Sequence, residues 1–477
     1  MSKSTYNAPL FCFRIFLTIS LLLFALAGIA FAQAGTSTAA DARTRYLAES
    51  GQIPSSREVA VEEIVNYRRH EIGLPKAGEA VAMDVRWGNN RAGTGQEAVL
   101  QIGLSTALAN DREQLRPINL SVVIDKSGSM ADADKLVRVK EALLNLVSKL
   151  RATDTLSIVV FDSEAQVLMP ARTLENKEVV KRLIRSIEPG SSTNLQAGLM
   201  LGYHEALKSY RRDATNRVIL LTDGIANTGV TDPERIAHDS LLFNDRGIDL
   251  STIGVGLDLN KDLLRELAKS GRGLFHFVAD SEDINKVFVK EVQSLVAPVA
   301  SEPNLEIDFP AGLELVKIYG YEPRIREDGL TIKLDNMNQG LTQVVLLRFR
   351  VTYRKHPFEH LPVNVRLTYY DLEQKRRVEK TEAAYIVVNN DDLPGDMLRD
   401  GEVRKNYSIA QLAQAIRDMA AAYEAGRYGE AERLLNAAIN KVYERYPNME
   451  DEDIGRTMSV AQKYRDVLRR YIQQIDP

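Results

Sequence analysis

The chain has 477 residues, 44% apolar and 26% charged, with a formal net charge of −4. That length accommodates two or three domains, and that composition is ordinary globular usage with enough apolar surface for buried cores. No strongly basic face is implied, which excludes nucleic acid as the natural partner, and the only cysteine, Cys12, leaves the chain after the leader without disulfides, catalytic thiolates or thiolate metal sites.

Lys3 and Arg14 are the only charges before Asp41, and an apolar run from Ile15 to Ala32 ends in Ala30-Phe31-Ala32. A positive start, an apolar middle and a small-residue cleavage site are the layout of a secretory signal, so residues 1–32 are expected to direct export. The alternative is an uncleaved anchor, because the run is about as long as the shortest spanning helices. Either way the bulk of the chain is expected in the periplasm, at the cell surface or secreted, with membrane contact only if the segment stays uncleaved. Residues 33–77 read as an N-terminal linker and short helix. Gly35 to about Arg43 is polar and is expected to be disordered, while residues 57–69 carry an amphipathic pattern in Val59, Val61, Ile64 and Val65.

Two strand-like runs follow, Ala80 to Trp87 and Ala98 to Leu108, separated by the glycine-rich loop Gly88 to Gly95. From residue 118 to 298 strands and helices alternate. The strand runs are Leu120 to Ile124, Leu156 to Phe161, Val218 to Leu221 and Leu250 to Val255, with weaker ones at Ala165 to Leu168 and Leu274 to Val278. Helical patterns lie near Asp134 to Leu150, Lys177 to Ile187, Asn194 to Tyr210, Pro233 to Asp245, Asp262 to Lys269 and Glu282 to Val296. Short all-apolar strands between amphipathic helices predict an α/β domain, a doubly wound, mostly parallel sheet covered on both faces. Gly198 and Gly202 lie one turn apart and are expected to let their helix pack closely.

After Asn304 the period returns to two, with runs at Leu330 to Leu334, Val344 to Tyr353, Val363 to Tyr370 and Ala383 to Val388. Residues 78–117 and 299–390 are therefore expected to form one antiparallel β-sandwich into which the α/β domain is inserted. Residues 391–477 open with a linker-like Asp391 to Asp396 and continue in three helical stretches broken at Gly426 and Pro447. Tyr423 to Ala431 resembles the turn of a tetratricopeptide repeat. One such turn cannot make a solenoid, so a helical cap packed on the sandwich is the simpler reading.

The chemistry gathers at the ends of strands. The first α/β strand ends in Asp125-Lys126-Ser127-Gly128-Ser129-Met130, Gly190-Ser191-Ser192-Thr193-Asn194 opens a helix, and another strand ends in Thr222-Asp223-Gly224. Loops at the carboxyl ends of strands in an open α/β sheet can converge where strand order reverses. Asp125, Ser127, Ser129, Thr193 and Asp223 would then supply two carboxylates and three hydroxyls, hard donors suited to octahedral Mg2+ or Mn2+ with water completing the shell. Two carboxylates balance the ion only formally, so an open position would favour a carboxylate from another molecule. Each residue also has a plainer reading: Asp125 and Thr193 as helix caps, Asp223 as turn chemistry.

This arrangement resembles the metal-ion-dependent adhesion site of von Willebrand factor type A domains over about residues 118–298. All five positions match. The flanks, including Gly51 to Pro54, Val61 to Tyr67 and Tyr319 to Glu322, look similar to a group of exported bacterial proteins of this class. The resemblance implies a non-enzymatic, cation-dependent adhesion or interaction module whose Mg2+ or Mn2+ engages an Asp or Glu of a protein partner. The alternative is a structural or envelope assembly factor with an intrachain or vestigial metal site. A metal-dependent hydrolase is the third reading, for which Asp162 and Asp258 are the candidate bases. His356-Pro357-Phe358-Glu359-His360 matches a zinc-protease pattern that needs a helix, and its prolines argue for strand instead.

Overall fold

The computed structural model describes residues 39–68, 70–107, 117–224, 226–256, 259–278, 298–353, 358–389 and 398–475. The export segment, the linker at 391–396, Asp258 and the expected helix at 282–296 lie outside these residues.

Alternation between two buried faces builds the α/β part. Strand β4 (Ile118–Asp125) is buried along its whole length. Leu120, Val122 and Ile124 pack into one core with helices α3 (Lys135–Lys149) and α4 (Lys177–Arg185), while Val123 packs into a second core on the opposite face. That second core takes α5 (Leu195–Lys208), α6 (Pro233–Asn244) and α7 (Lys261–Ser270). The sheet has the order β6 (Ala165–Thr173), β5 (Thr155–Phe161), β4, β7 (Thr215–Thr222), β8 (Asp249–Val255), β9 (Arg272–Val278). Every pairing is parallel except β5 with β6. The expected doubly wound, mostly parallel sheet is present. Its central helix sits close because it lacks side chains where it crosses the sheet: a Cβ on Gly198 would fall 2.5 Å from the Phe161 ring, and one on Gly202 2.2 Å from Val123 Cγ2.

Strands on either side of this unit form two antiparallel sheets. One has the order β1 (Val81–Trp87), β3 (Glu97–Thr106), β15 (Thr342–Val351), β11 (Leu313–Ile318). The other runs β12 (Arg324–Ile325), β13 (Gly329–Lys333), β10 (Pro298–Asp308), β16 (Phe358–Asp371), β17 (Arg376–Asn389), β2 (Arg91–Ala92), with β14 (Met337–Asn338) beside β10. Leu100, Ile102, Val345 and Leu347 of the first sheet share one core with Leu305, Val365 and Ile386 of the second. The parallel unit is thus inserted between two stretches of a β-sandwich.

The other face of the first sheet is covered as well. Val99, Val344 and Leu346 point into a core filled by α2 (Val61–Asn66) and the C-terminal helices α8 (Gly401–Glu424), α9 (Tyr428–Arg445) and α10 (Glu452–Ile475). Asn66 acts there as a substitute strand: its amide donates to Val344 O at 3.1 Å and accepts from Val344 N–H at 2.8 Å. Residues Gly35 to Arg43, expected to be disordered, depart from that expectation in their described part. Helix α1 spans Ala39–Glu49, with the Arg43 guanidinium 5.1 Å from the Phe277 ring centroid and the Tyr464 hydroxyl bonded to Thr44 O. Tertiary contacts hold a helix that local polarity does not advertise. Among the described residues no helix is long and apolar enough to cross a membrane.

Candidate metal centre

Parallel pairing of β4 with β7 puts Ile124 beside Leu221, so both strands deliver their next residues at one edge of the sheet. On its other side β4 pairs with β5, and the flanking helices α3 and α5 lie on opposite faces. Chain direction across the sheet therefore reverses at β4, the place where open α/β sheets form a crevice.

Asp125 is fully buried at this point. Its Oδ1 accepts the Ser127 N–H at 2.8 Å, and its Oδ2 accepts the Thr222 hydroxyl at 2.6 Å. The Ser127 and Ser129 hydroxyls lie 3.2 Å apart, and Ser129 donates to Asp223 Oδ1 at 2.9 Å. Thr193 arrives from the second loop. A Cβ on Gly224 would lie 3.3 Å from Thr193 Oγ1 and 3.7 Å from Asp125 Oδ2, so the hydroxyl and the carboxylate share a cradle over bare backbone. The loops are tied to one another by main chain: Gly128 N–H donates to Ser191 O at 2.8 Å, and Asn227 Oδ1 accepts the Thr193 N–H at 2.8 Å.

All five expected residues are thus brought together, and the plainer role of Thr193 is taken by its neighbour. Asn194, not Thr193, caps α5 by accepting the Ala197 N–H. Ser127 precedes the 3-10 turn Gly128–Asp134, and Asp125 makes no cap bond to it. Sequence reasoning missed Thr222, Asn227 and Lys135. The first is signalled only by a threonine at a strand end, the second only by an asparagine after Gly224. Lys135 Nζ lies 2.6 Å from Asp223 Oδ2.

Burial pushes the Asp125 carboxyl up to about 6 against the hydrogen bonds of Thr222 and Ser127, and the Asp223 charge adds to the rise. A carboxylate forced to share a dry site with another is stabilised most by a cation. The donor chemistry fits a hard divalent ion: oxygens only, two of them carboxylates, with Ser129 exposed on the open side. Among the described residues no group of three His, Cys, Asp or Glu side chains is placed to hold a metal, so an ion here would need oxygens beyond the two carboxylates, and the hydroxyls of Ser127, Ser129 and Thr193 are the side-chain oxygens at hand.

The other candidates fare differently. Asp162 is paired with Lys126; burial opposes its charge, but the ammonium holds its carboxyl below the usual range. A committed ion pair is a poor general base. Glu359 and His360 lie on strand β16, where Glu359 accepts the Tyr353 hydroxyl at 3.0 Å, so the pattern is on a strand as its prolines indicated. His356 lies outside the described residues.

The family model described as von Willebrand factor type A domain matches residues 119–290. Residues 119–290 are a von Willebrand factor type A domain. Uncharacterized protein YfbK of Escherichia coli (strain K12) is 30% identical over 298 residues, 60% of this chain and 51% of that protein. Inter-alpha-trypsin inhibitor heavy chain H3 of Mus musculus is 30% identical over 203 residues, 41% of this chain and 22% of that protein. The matched stretch thus spans about half the length of the first curated relative and less of the second. Among solved structures, von Willebrand factor type A from Catenulispora acidiphila aligns with 83% of this chain and 98% of its own, at 15% identity and a TM-score of 0.49. Within the von Willebrand factor type A domain of this chain, the five oxygen-bearing residues occupy the carboxyl edge of the parallel sheet.

Proposed function

We propose that this protein is an exported, divalent-cation-dependent protein-binding module of the cell envelope or exterior. Asp125, Ser127, Ser129, Thr193 and Asp223 would hold Mg2+ or Mn2+, and the ion would supply a Lewis-acidic position for an Asp or Glu side chain of a protein partner. One observation carries the reading: five oxygen donors from three loops converge at the switch point of the sheet, with Asp125 fully buried among them. A pair of carboxylates so placed is expensive without a cation. Three hydroxyls add ligands without adding charge, so the ion keeps its appetite for an incoming anion. Binding rather than catalysis suits the same groups: Asp162 is committed to Lys126, and Lys135 is committed to Asp223, so each is held in an ion pair.

The test is calorimetric titration of Mg2+ and Mn2+ into chelator-treated protein, beside Asp125→Ala and Thr193→Ala. Saturable binding in the wild type and its loss in both variants supports the reading. Retention of full binding in both variants, or absence of binding in folded wild type both alone and with a carboxylate-bearing partner, refutes it.

A further inference from the structure

Lys135 stands where local helix energetics argue against it. It is the first residue of α3, a helix of 15 residues with no acidic residue in its first turn. The amino end of a helix carries partial positive charge, so a cation there is unfavourable. Asp134 delivers it: that residue takes the left-handed conformation, φ 58°, between the 3-10 turn and the helix. The lysine stem then crosses the backbone of Gly256, where a Cβ would lie 3.3 Å from Lys135 Cε.

The destination of the ammonium is Asp223 Oδ2, at 2.6 Å, with the Ser129 carbonyl at 3.3 Å. The Asp223 side chain is fully buried, whereas that of Lys135 keeps 21% of its surface. Both oxygens of this carboxylate are engaged, one by the Ser129 hydroxyl and the other by the ammonium. The neighbouring Lys126 is occupied elsewhere, on Asp162, so Lys135 is the cation that neutralises a proposed metal ligand.

We propose that Lys135 is a tethered counter-ion that competes with the divalent ion for Asp223 and so sets the ion concentration at which the site loads. This rests on the metal-site reading above. Two carboxylates and one ammonium leave the cluster at −1. A divalent ion entering beside the ammonium raises it to +1, while an ion that displaces the ammonium to solvent brings it to neutrality. The second path is open because the lysine head is partly in water on a flexible four-carbon stem. Loading therefore costs the lysine–aspartate pair, and the cost is returned when the ion leaves, which keeps the buried Asp223 compensated in both states. The side chain makes the site a reversible one that responds to divalent concentration.

The experiment titrates Mg2+ by calorimetry into chelator-treated full-length wild type, Lys135→Met and Lys135→Arg, with circular dichroism to confirm folding. Methionine keeps the stem and removes the charge; arginine keeps the charge and adds a two-pronged grip on a carboxylate. Lys135→Met is expected to bind Mg2+ about tenfold more tightly or better, and Lys135→Arg more weakly than wild type. In chelator, Lys135→Met should melt below wild type and regain the difference on adding Mg2+. Equal or weaker Mg2+ binding by Lys135→Met overturns the proposal while leaving the metal site standing. If that variant does not fold, Lys135→Arg decides: binding equal to or tighter than wild type overturns the proposal. Absence of Mg2+ binding in wild type and both variants is the separate outcome that removes the metal-site reading and the competition with it.

Discussion

Replacing Asp125 by asparagine should stabilise the protein in chelator, and excess Mg2+ should bring wild type back to about the variant's stability. Burial first, then the nearby Asp223, moves the carboxyl from its ordinary 3.8 to about 6. A raised value means the folded state disfavours the ionised form. That contribution to stability is complete below the unfolded-state value and is lost as pH rises through about 6. At neutral pH the ion-free fold carries roughly 3 kcal/mol of this burden. Asparagine cannot ionise, its oxygen can still accept the Ser127 N–H, and the Thr222 hydroxyl can turn to accept from the amide. The variant should therefore gain up to roughly 3 kcal/mol in chelator. With Mg2+ at about a hundred times its dissociation constant, wild type recovers about 2.7 kcal/mol, and the variant, one ligand charge short, recovers little. Denaturant titrations with and without chelator at pH 7 measure both differences. A variant less stable than wild type in chelator would show that hydrogen bonds, not burial, dominate at Asp125, and the argument from charge would fail.

Two further changes test the scaffold. Gly202→Ala places a methyl 2.2 Å from Val123 Cγ2, an overlap that should cost about 1–3 kcal/mol in thermal or urea unfolding and be partly relieved by adding Val123→Ala. Glu402 is opposed by burial but held down to about 2 by His70, the Arg68 guanidinium and Asn406. A depressed carboxyl contributes stability above its unfolded value of about 4.5 that is lost as pH falls toward 2. Glu402→Gln should flatten the loss over that window, measured as unfolding midpoint against pH, and an unchanged slope would mean the contact between α8 and Arg68 carries no net charge energy.

Much of this was legible in residue order. The strands of the α/β domain are nearly all-apolar and its helices periodic, and those within the described residues lie within a few residues of their expected bounds, except that β6 runs five residues further, to Thr173. The gaps have physical causes. Strand β10 holds Pro298 and Pro303, a positive φ at Glu302 and a register shift between Ser301 and Asn304, so no alternating pattern survives for a reader to see. The first half of β17, Arg376 to Thr381, is charged and polar apart from Val378; pairing with β16 through the register Asp371 to Arg376 makes it strand. At the site, the five oxygens announce themselves by position after strands. Lys135 does not, because a lysine at a helix start reads as a solvated charge until Asp223, distant in sequence, is seen beside it.

The C-terminal helices bear on how such a module would be used. Their tetratricopeptide-like turn invites a second binding surface, yet α8 directs Val403, Tyr407, Ala410 and Ile416 into the core that Val99, Val344 and Leu346 of the sandwich share. The buried Asn406 amide, moreover, donates to Gln101 Oε1 of β3 at 2.8 Å. A helix so committed on its apolar face is holding the sandwich. Helix α1 extends the same layer to the α/β domain: Arg43 stacks on Phe277 of β9, and Glu58 pairs with both Arg43 and Lys261 of α7. Among the described residues these contacts fall on β9 and α7. The five oxygens sit at the middle of the sheet, on β4 and β7 and the loop before α5, and β7 is two strands from β9. Among the described residues, the helical layer thus holds the domain at its edge strand β9, two strands away from β7 and the metal centre.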